Sequence, residues 1–261
     1  KKVFKTVDET LGFSLSNIIL NGPENELKLT QNTQPAIMTI GVSIFHVLNN
    51  EYGLSLNSSK FFAGHSLGEY TALVCAGSLE LERAAYLLHE RGKSMQEAVP
   101  PGQGSMMAIL GMKIDEVEKE ISLLLNELKC EIANDNCEGQ VVVSGKKLSI
   151  ENLHKKLKDK KKKGIILPVS APFHCSLMIK AAEKMKPKIE STNFLQPKPT
   201  IISNVTAKEE ANVNKFKPLL VDQITSRVRW RESVDYMIKS GITNFLEIGP
   251  GKVLSGLVKK I

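Results

Sequence analysis

Gly64-His65-Ser66-Leu67-Gly68 has the Gly-x-Ser-x-Gly form. It follows a short apolar run, Phe61-Phe62-Ala63, and precedes a helix predicted over 69–76. In that setting the serine sits on a sharp strand-to-helix turn with its hydroxyl above the sheet, and the glycines let the backbone crowd around it. The Leu67 amide then lies at a helix N-terminus, where it can donate to a tetrahedral oxyanion. The bland alternative is a glycine-rich turn capped by a serine. A serine hydroxyl is a weak nucleophile and needs a base. Of the five histidines, His46 and His89 fall inside helical patterns and His154 lies in a lysine-rich helix that reads as exposed. His65 is expected to point away across the strand and reads as packing or as a support behind the site residues. His174 remains, in Ala171-Pro172-Phe173-His174. On position alone, a locally bonded imidazole at a helix start explains it better than a base does.

These residues need a scaffold to bring them together. Thr33 is placed to cap a helix opening with Gln34-Pro35, on which Ile37, Ile40, Ile44, Phe45 and Leu48 recur at helical spacing. A further helix is predicted over 81–95. After the break Pro100-Pro101-Gly102, strands are predicted over 106–110, 131–133, 140–144 and 165–169, with helices over 115–128 and 149–162. That order, β-α-β-β-α-β, is the ferredoxin-like one. Beyond it, helices over 176–190, 216–225 and 231–239 alternate with strands over 201–203 and 244–248. A final helix after Gly249-Pro250-Gly251 has Val253, Leu254 and Leu257 on one face. The expected fold is α/β: a larger α/β-hydrolase-like domain, residues 1–100 and 171–261, carrying an inserted ferredoxin-like small domain, residues 101–170.

Composition narrows the function classes. At 261 residues and 42% hydrophobic, the chain is long enough for a real core. No stretch approaches eighteen uncharged apolar residues, so no membrane span is expected. Cys75, Cys130, Cys137 and Cys175 form no Cys-x-x-Cys pair and no zinc-ligand spacing with histidine, so no metal site is expected and the thiols read as reduced. The net charge of +7 favours an acidic partner. Lys155, Lys156, Lys158 and Lys160 to Lys163 concentrate it; the cluster is either a solvated helix end or a docking patch. With only 5% aromatic residues, a base-stacking nucleic-acid surface is poorly supported.

Gly64-His65-Ser66-Leu67-Gly68-Glu69-Tyr70 resembles the nucleophile motif of malonyl-CoA:acyl carrier protein transacylases, the bacterial type II fatty-acid synthesis acyltransferases. So do the segments Arg91 to Pro100, Gly139 to Val142, Pro172 to Cys175 and Glu247 to Gly251, in family order across nearly the whole chain. The resemblance implies that Ser66 is the acylated nucleophile and His174 its general base. It implies that Arg91 grips the malonyl carboxylate through its planar fork, although Arg91 alone reads as a surface ion pair. Gln223 matches the residue whose backbone carbonyl orients the histidine. Met95 and Phe173 match pocket-lining positions, where ordinary core packing serves nearly as well, and Asn136 matches a polar residue near the pocket that is equally a turn asparagine. The family opens with a strand and a Gly-Gln-Gly-Ser-Gln loop supplying a second oxyanion donor. The chain begins beyond it, so that donor is expected in the full protein. Gly102-Gln103-Gly104-Ser105 imitates the loop but aligns with the start of the small domain.

The implied activity moves malonyl from coenzyme A to the phosphopantetheine thiol of acyl carrier protein, with no cofactor of its own. Phe173 is expected to narrow the pocket against branched extenders. The implied setting is a bacterial cytoplasm, or an organelle if a targeting segment has been removed, and the implied state a monomer. Three alternatives stand beside it: a serine esterase or thioesterase, an acyltransferase for another extender in polyketide synthesis, and a non-catalytic module that docks acidic partners through its lysines. A hydrolase would place an acid between serine and histidine in chain order. Asp135 and Asp159 lie there, but in the inserted segment, and Arg91 would have no task.

Overall fold

The computed structural model describes residues 1–169 and 171–261. Helices α1 (Lys2–Leu11), α2 (Leu15–Asn21), α3 (Glu24–Leu27) and α4 (Thr30–Asn50) lead into strand β1 (Phe61–Ala63), then α5 (Gly68–Cys75) and α6 (Leu81–Glu97). Next come β2 (Gly104–Leu110), α7 (Ile114–Ser122), β3 (Glu131–Cys137), β4 (Gln140–Lys146), α8 (Lys147–Asp159) and β5 (Lys163–Ile166). The chain ends with α9 (Ile179–Glu190), β6 (Thr200–Ile202), β7 (Glu209–Glu210), α10 (Val213–Asp222), α11 (Trp230–Lys239) and α12 (Val253–Val258).

Two sheets organise the mixed α/β molecule. In the first, β1 pairs parallel with β6, and β7 adds antiparallel at the edge, in the order β1-β6-β7. The register Ala63↔Ile202 sets the Gly64 turn beside Ser203 and Asn204. Both loops leave the carboxyl ends of parallel strands, where α/β sheets place their sites. The second sheet is antiparallel, in the order β3-β4-β2-β5, and α8 packs on it through Ile150, Leu153 and Leu157. Its strand β3 also fastens back onto the first unit. Asp135 N donates to Val228 O and Val228 N to Ala133 O, at 3.0 and 2.8 Å. The Arg231 guanidinium grips the buried Asp135 carboxylate at 2.8 and 3.1 Å.

Helix α6 matters most for the site. Ala84, Leu87, Leu88, Arg91 and Met95 recur at three- and four-residue spacing, and all are buried. The apolar stripe therefore carries Arg91 inward. Gly92 beside it meets α4: a Cβ there would lie 2.5 Å from the Gln31 Cα and the Thr30 carbonyl oxygen. Only glycine permits that approach. Helix α4 contains Pro35, whose missing N–H leaves the Gln31 carbonyl without its helical donor, and His89 Nδ1 lies 3.0 Å from that oxygen.

Several sequence expectations need correction. Helix α4 starts at Thr30, so Thr33 does not cap it; its hydroxyl donates to the Leu27 and Leu29 carbonyls instead. The helix expected to reach residue 128 ends at Ser122, whose hydroxyl donates back to the Lys119 carbonyl and competes with the ladder. Strand β5 ends at Ile166: the Leu167 amide still donates to the Met106 carbonyl, but the next amide on that side, that of Val169, turns back to the Leu167 carbonyl instead of to β2. Residues 244–248 form no ladder among the described residues, and a strand exists only with a partner. Val253 is exposed, whereas Leu257 is buried. His154 is half-buried, its ring against Gly164. Helices α1 to α3 and strand β7 were not expected. The expected boundary at Ser170 lies outside the described residues. All four cysteines are free, and no helix among the described residues is long and apolar enough to cross a membrane.

Candidate active site

Ser66 sits in the turn between β1 and α5 with φ at 54°. This left-handed conformation is strained for a residue with a Cβ. The two glycines of the motif differ. A Cβ on Gly64 would fall 1.9 Å from the Gly68 carbonyl oxygen, whereas one on Gly68 would meet nothing within 4 Å. Gly64 alone permits the tight turn. Asn204, just after β6, braces the turn from the side. Its Oδ1 accepts from the Ser66 amide at 2.6 Å, and its Nδ2 donates to the Gly64 carbonyl at 2.8 Å. Leu67 caps α5, and its amide has no acceptor among the described residues.

His174 follows Pro172-Phe173 with φ at 58°. Its Nε2 lies 2.8 Å from Ser66 Oγ and its Nδ1 2.9 Å from the Gln223 carbonyl oxygen. A carbonyl only accepts, so Nδ1 carries the hydrogen and Nε2 is left to accept from the serine. The orienting third member is thus a main-chain carbonyl at the end of α10, not a carboxylate. Burial lowers the His174 pKa to about 3, with the Arg91 charge adding to the effect. The imidazole is neutral at physiological pH, and its Nε2 lone pair faces the serine hydroxyl.

Arg91 is 1% exposed, yet it forms no ion pair among the described residues. One terminal nitrogen donates to Gln34 Oε1 at 2.6 Å; the other donates to Gln223 Oε1 at 2.9 Å and Ser66 Oγ at 3.2 Å. Its Nε is buried without a partner, and its charge faces the Tyr70 ring at 5.9 Å. Burial lowers its pKa, while nearby Tyr70 and Glu69 oppose the shift. A guanidinium so placed lacks a carboxylate.

The remaining expected residues lie at varied remove. Met95 is buried one turn along α6, its sulfur 3.9 Å from Gln34 Nε2. Phe173 packs half-buried between two apolar clusters. Asn136 is buried, but its Oδ1 is bonded to His65 Nε2 at 2.9 Å, and the His65 ring rests on Trp230. Asn136 thus approaches the nucleophile turn by way of His65, the packing residue beside Ser66. Sequence reasoning missed Gln34, Glu69 and Asn204. Glu69 and Gln34 each stood inside a helix pattern among apolar residues, which was the available signal; Asn204 offered none. A cleft of about 520 Å³ opens beside His174, with Cys130, Ile132, Thr225, Ser226 and Arg227 among its walls. Among the described residues no three His, Cys, Asp or Glu side chains gather as a metal site.

The model of the acyl transferase domain matches residues 2–260. The chain belongs to the acyl transferase domain family. It is 42% identical to the malonyl CoA-acyl carrier protein transacylase of Bacillus subtilis, covering 100% of this chain and 82% of that protein. It is 38% identical to the transacylase of the same name from Escherichia coli K12, covering 100% and 84%. Among solved structures, the acyl-carrier-protein-S-malonyltransferase of Bartonella henselae superposes with a TM-score of 0.95 at 42% identity, over 99% of this chain and 83% of that one. A malonyl-transacylase solved in complex with its type II polyketide acyl-carrier protein gives 0.95 at 38% identity, over 99% and 83%. The protein is accordingly an acyltransferase.

Proposed function

We propose that this acyltransferase moves a malonyl group from malonyl-CoA to the phosphopantetheine thiol of acyl carrier protein, supplying extender units for fatty-acid synthesis. The observation that carries the reading is Arg91, buried beside Ser66 Oγ with no carboxylate partner among the described residues. A malonyl group brings that carboxylate; an acetyl group does not. Ser66 gives its proton to His174 Nε2 and attacks the thioester carbonyl. The Leu67 amide stabilises the oxyanion. Coenzyme A leaves as the thiol, taking the proton back from His174. The carrier's thiol then attacks the Ser66 ester by the same route, and the serine regains its proton. The atoms balance without a metal or cofactor. The Gln34 and Gln223 oxygens that hold Arg91 are neutral acceptors, which a carboxylate can displace.

The wider setting fits this reading. The order β2-α7-β3-β4-α8-β5 and the sheet order β3-β4-β2-β5 support a ferredoxin-like insert on a hydrolase-like α/β body. The net charge of +7 suits an acidic carrier. In the lysine cluster, Lys156 and Lys160 pair with Glu120, while Lys155, Lys158, Lys161 and Lys162 are exposed. The named relatives are bacterial, which supports work in a bacterial cytoplasm. The esterase alternative is disfavoured because His174 is oriented by a carbonyl and because Arg91 would face a neutral ester. A transfer assay with labelled malonyl-CoA tests the proposal: label should pass to carrier protein bearing phosphopantetheine and not to the apo-carrier. Release of free malonate with either carrier would instead indicate a hydrolase.

A further inference from the structure

The polar groups around the dyad converge on one side chain that the cycle above does not use. Glu69 is the second residue of α5 and is 2% exposed. Its Oε2 accepts from Gln223 Nε2 at 2.7 Å and from the Asn204 backbone amide at 3.2 Å. Those two residues hold the two halves of the dyad. Asn204 braces Ser66 and Gly64 with its side chain. Gln223 fixes His174 with its main-chain carbonyl.

Chemistry settles how the Gln223 amide faces. Arg91 can only donate, so the Gln223 oxygen turns to it. The Gln223 nitrogen must then find acceptors, and it has the Ser66 carbonyl at 3.1 Å and Glu69. A buried carboxyl is costly unless its bonds are made. Here it has no ion pair among the described residues; Arg91 and the Tyr70 hydroxyl are the charged and titratable groups that act on it. Its service is as a shared acceptor.

We infer that Glu69 is a positioning residue, whose Oε2 holds the loop after β6 and the end of α10 in register so that Ser66 and His174 meet. The inference rests on the malonyl-transfer reading of this site. Burial raises the Glu69 pKa to about 7, so near neutral pH the carboxyl is often uncharged, and its carbonyl oxygen still accepts. The acceptor, not the charge, is what the two neighbours require. Misplacement of a reacting group by about 1 Å can cost on the order of 10² in rate.

Two substitutions separate acceptor from charge. Glu69→Gln keeps an oxygen at the same reach and removes the charge. Glu69→Asp keeps the charge and withdraws the oxygens by one methylene. Steady-state malonyl transfer and thermal melting are measured for both beside the parent protein. Glu69→Gln should keep kcat within about threefold, and Glu69→Asp should lose about tenfold or more in kcat with little change in the KM for malonyl-CoA. Should Glu69→Asp not fold, Glu69→Met, of similar length and without an oxygen, must show the same kcat loss. The reverse order, with Asp active and Gln impaired, would overturn the inference in favour of charge balance. So would losses that simply follow the melting temperature, or an unimpaired Glu69→Asp. A parent protein that forms no malonyl ester would instead refute the transfer reading itself, so the two failures are distinct.

Discussion

Replacing Arg91 with methionine tests how the site selects its acyl group. The guanidinium is buried, its terminal nitrogens rest on the neutral amide oxygens of Gln34 and Gln223, and one of them lies 3.2 Å from Ser66 Oγ. A malonyl carboxylate bound there forms a buried, charge-assisted pair. Removing one partner of such a pair costs about 3–5 kcal/mol, which corresponds to roughly 10²–10⁴ in kcat/KM. Acetyl-CoA offers no carboxylate, and in the parent protein its binding leaves the Arg91 charge uncompensated. Arg91→Met should therefore lower kcat/KM for malonyl-CoA by that factor and leave acetyl-CoA within about threefold or improved. The assay is transfer of each acyl group to carrier protein at subsaturating thioester. Equal losses for both thioesters would refute the reasoning, because they would show that Arg91 acts on Ser66 and not on the carboxylate.

Two further outcomes follow from the geometry. Burial and the Arg91 charge hold the His174 pKa at about 3, whereas an unfolded histidine titrates at about 6.5. As pH falls through that window the unfolded chain takes up a proton that the folded protein refuses, so stability falls by up to about 1.4 kcal/mol per pH unit. Chemical denaturation of the parent and His174→Gln proteins checks this: the variant should lose less stability between about pH 6.5 and 4, and parallel losses would contradict it. In the nucleophile turn, Gly64→Ala should cost about 3 kcal/mol or more by forcing a methyl into the Gly68 carbonyl. Gly68→Ala should leave both stability and transfer nearly unchanged; equal melting temperatures for the two variants would refute the distinction.

Much of the site was legible because short-range patterns specify it. The Gly-x-Ser-x-Gly turn is a local event between a strand and a helix, and its two glycines announce it. Even so, only Gly64 is required for close approach, which spacing alone does not reveal. Arg91 illustrates a signal present and underused. It reads as a surface charge in isolation, yet it stands on the Ala84-Leu87-Leu88-Met95 stripe and is carried inward by it. His174 could not be assigned from position, because its meeting with Ser66 is made by chain crossings 108 residues apart. Asn204 and Glu69 were missed for the same reason: their partners lie on other elements. The helix and strand errors fall where a side chain or a local turn competes with a ladder, as at Ser122 and Val169, or where a predicted strand finds no partner, as at 244–248.

The most direct test is intact mass after brief exposure to malonyl-CoA, on the parent protein and on Ser66→Ala. A malonyl-sized adduct should form on the parent only, and reduced carrier protein, not water, should discharge it. A folded parent that gains no mass, or an adduct that persists on Ser66→Ala, would contradict a serine ester as the carrier of the acyl group.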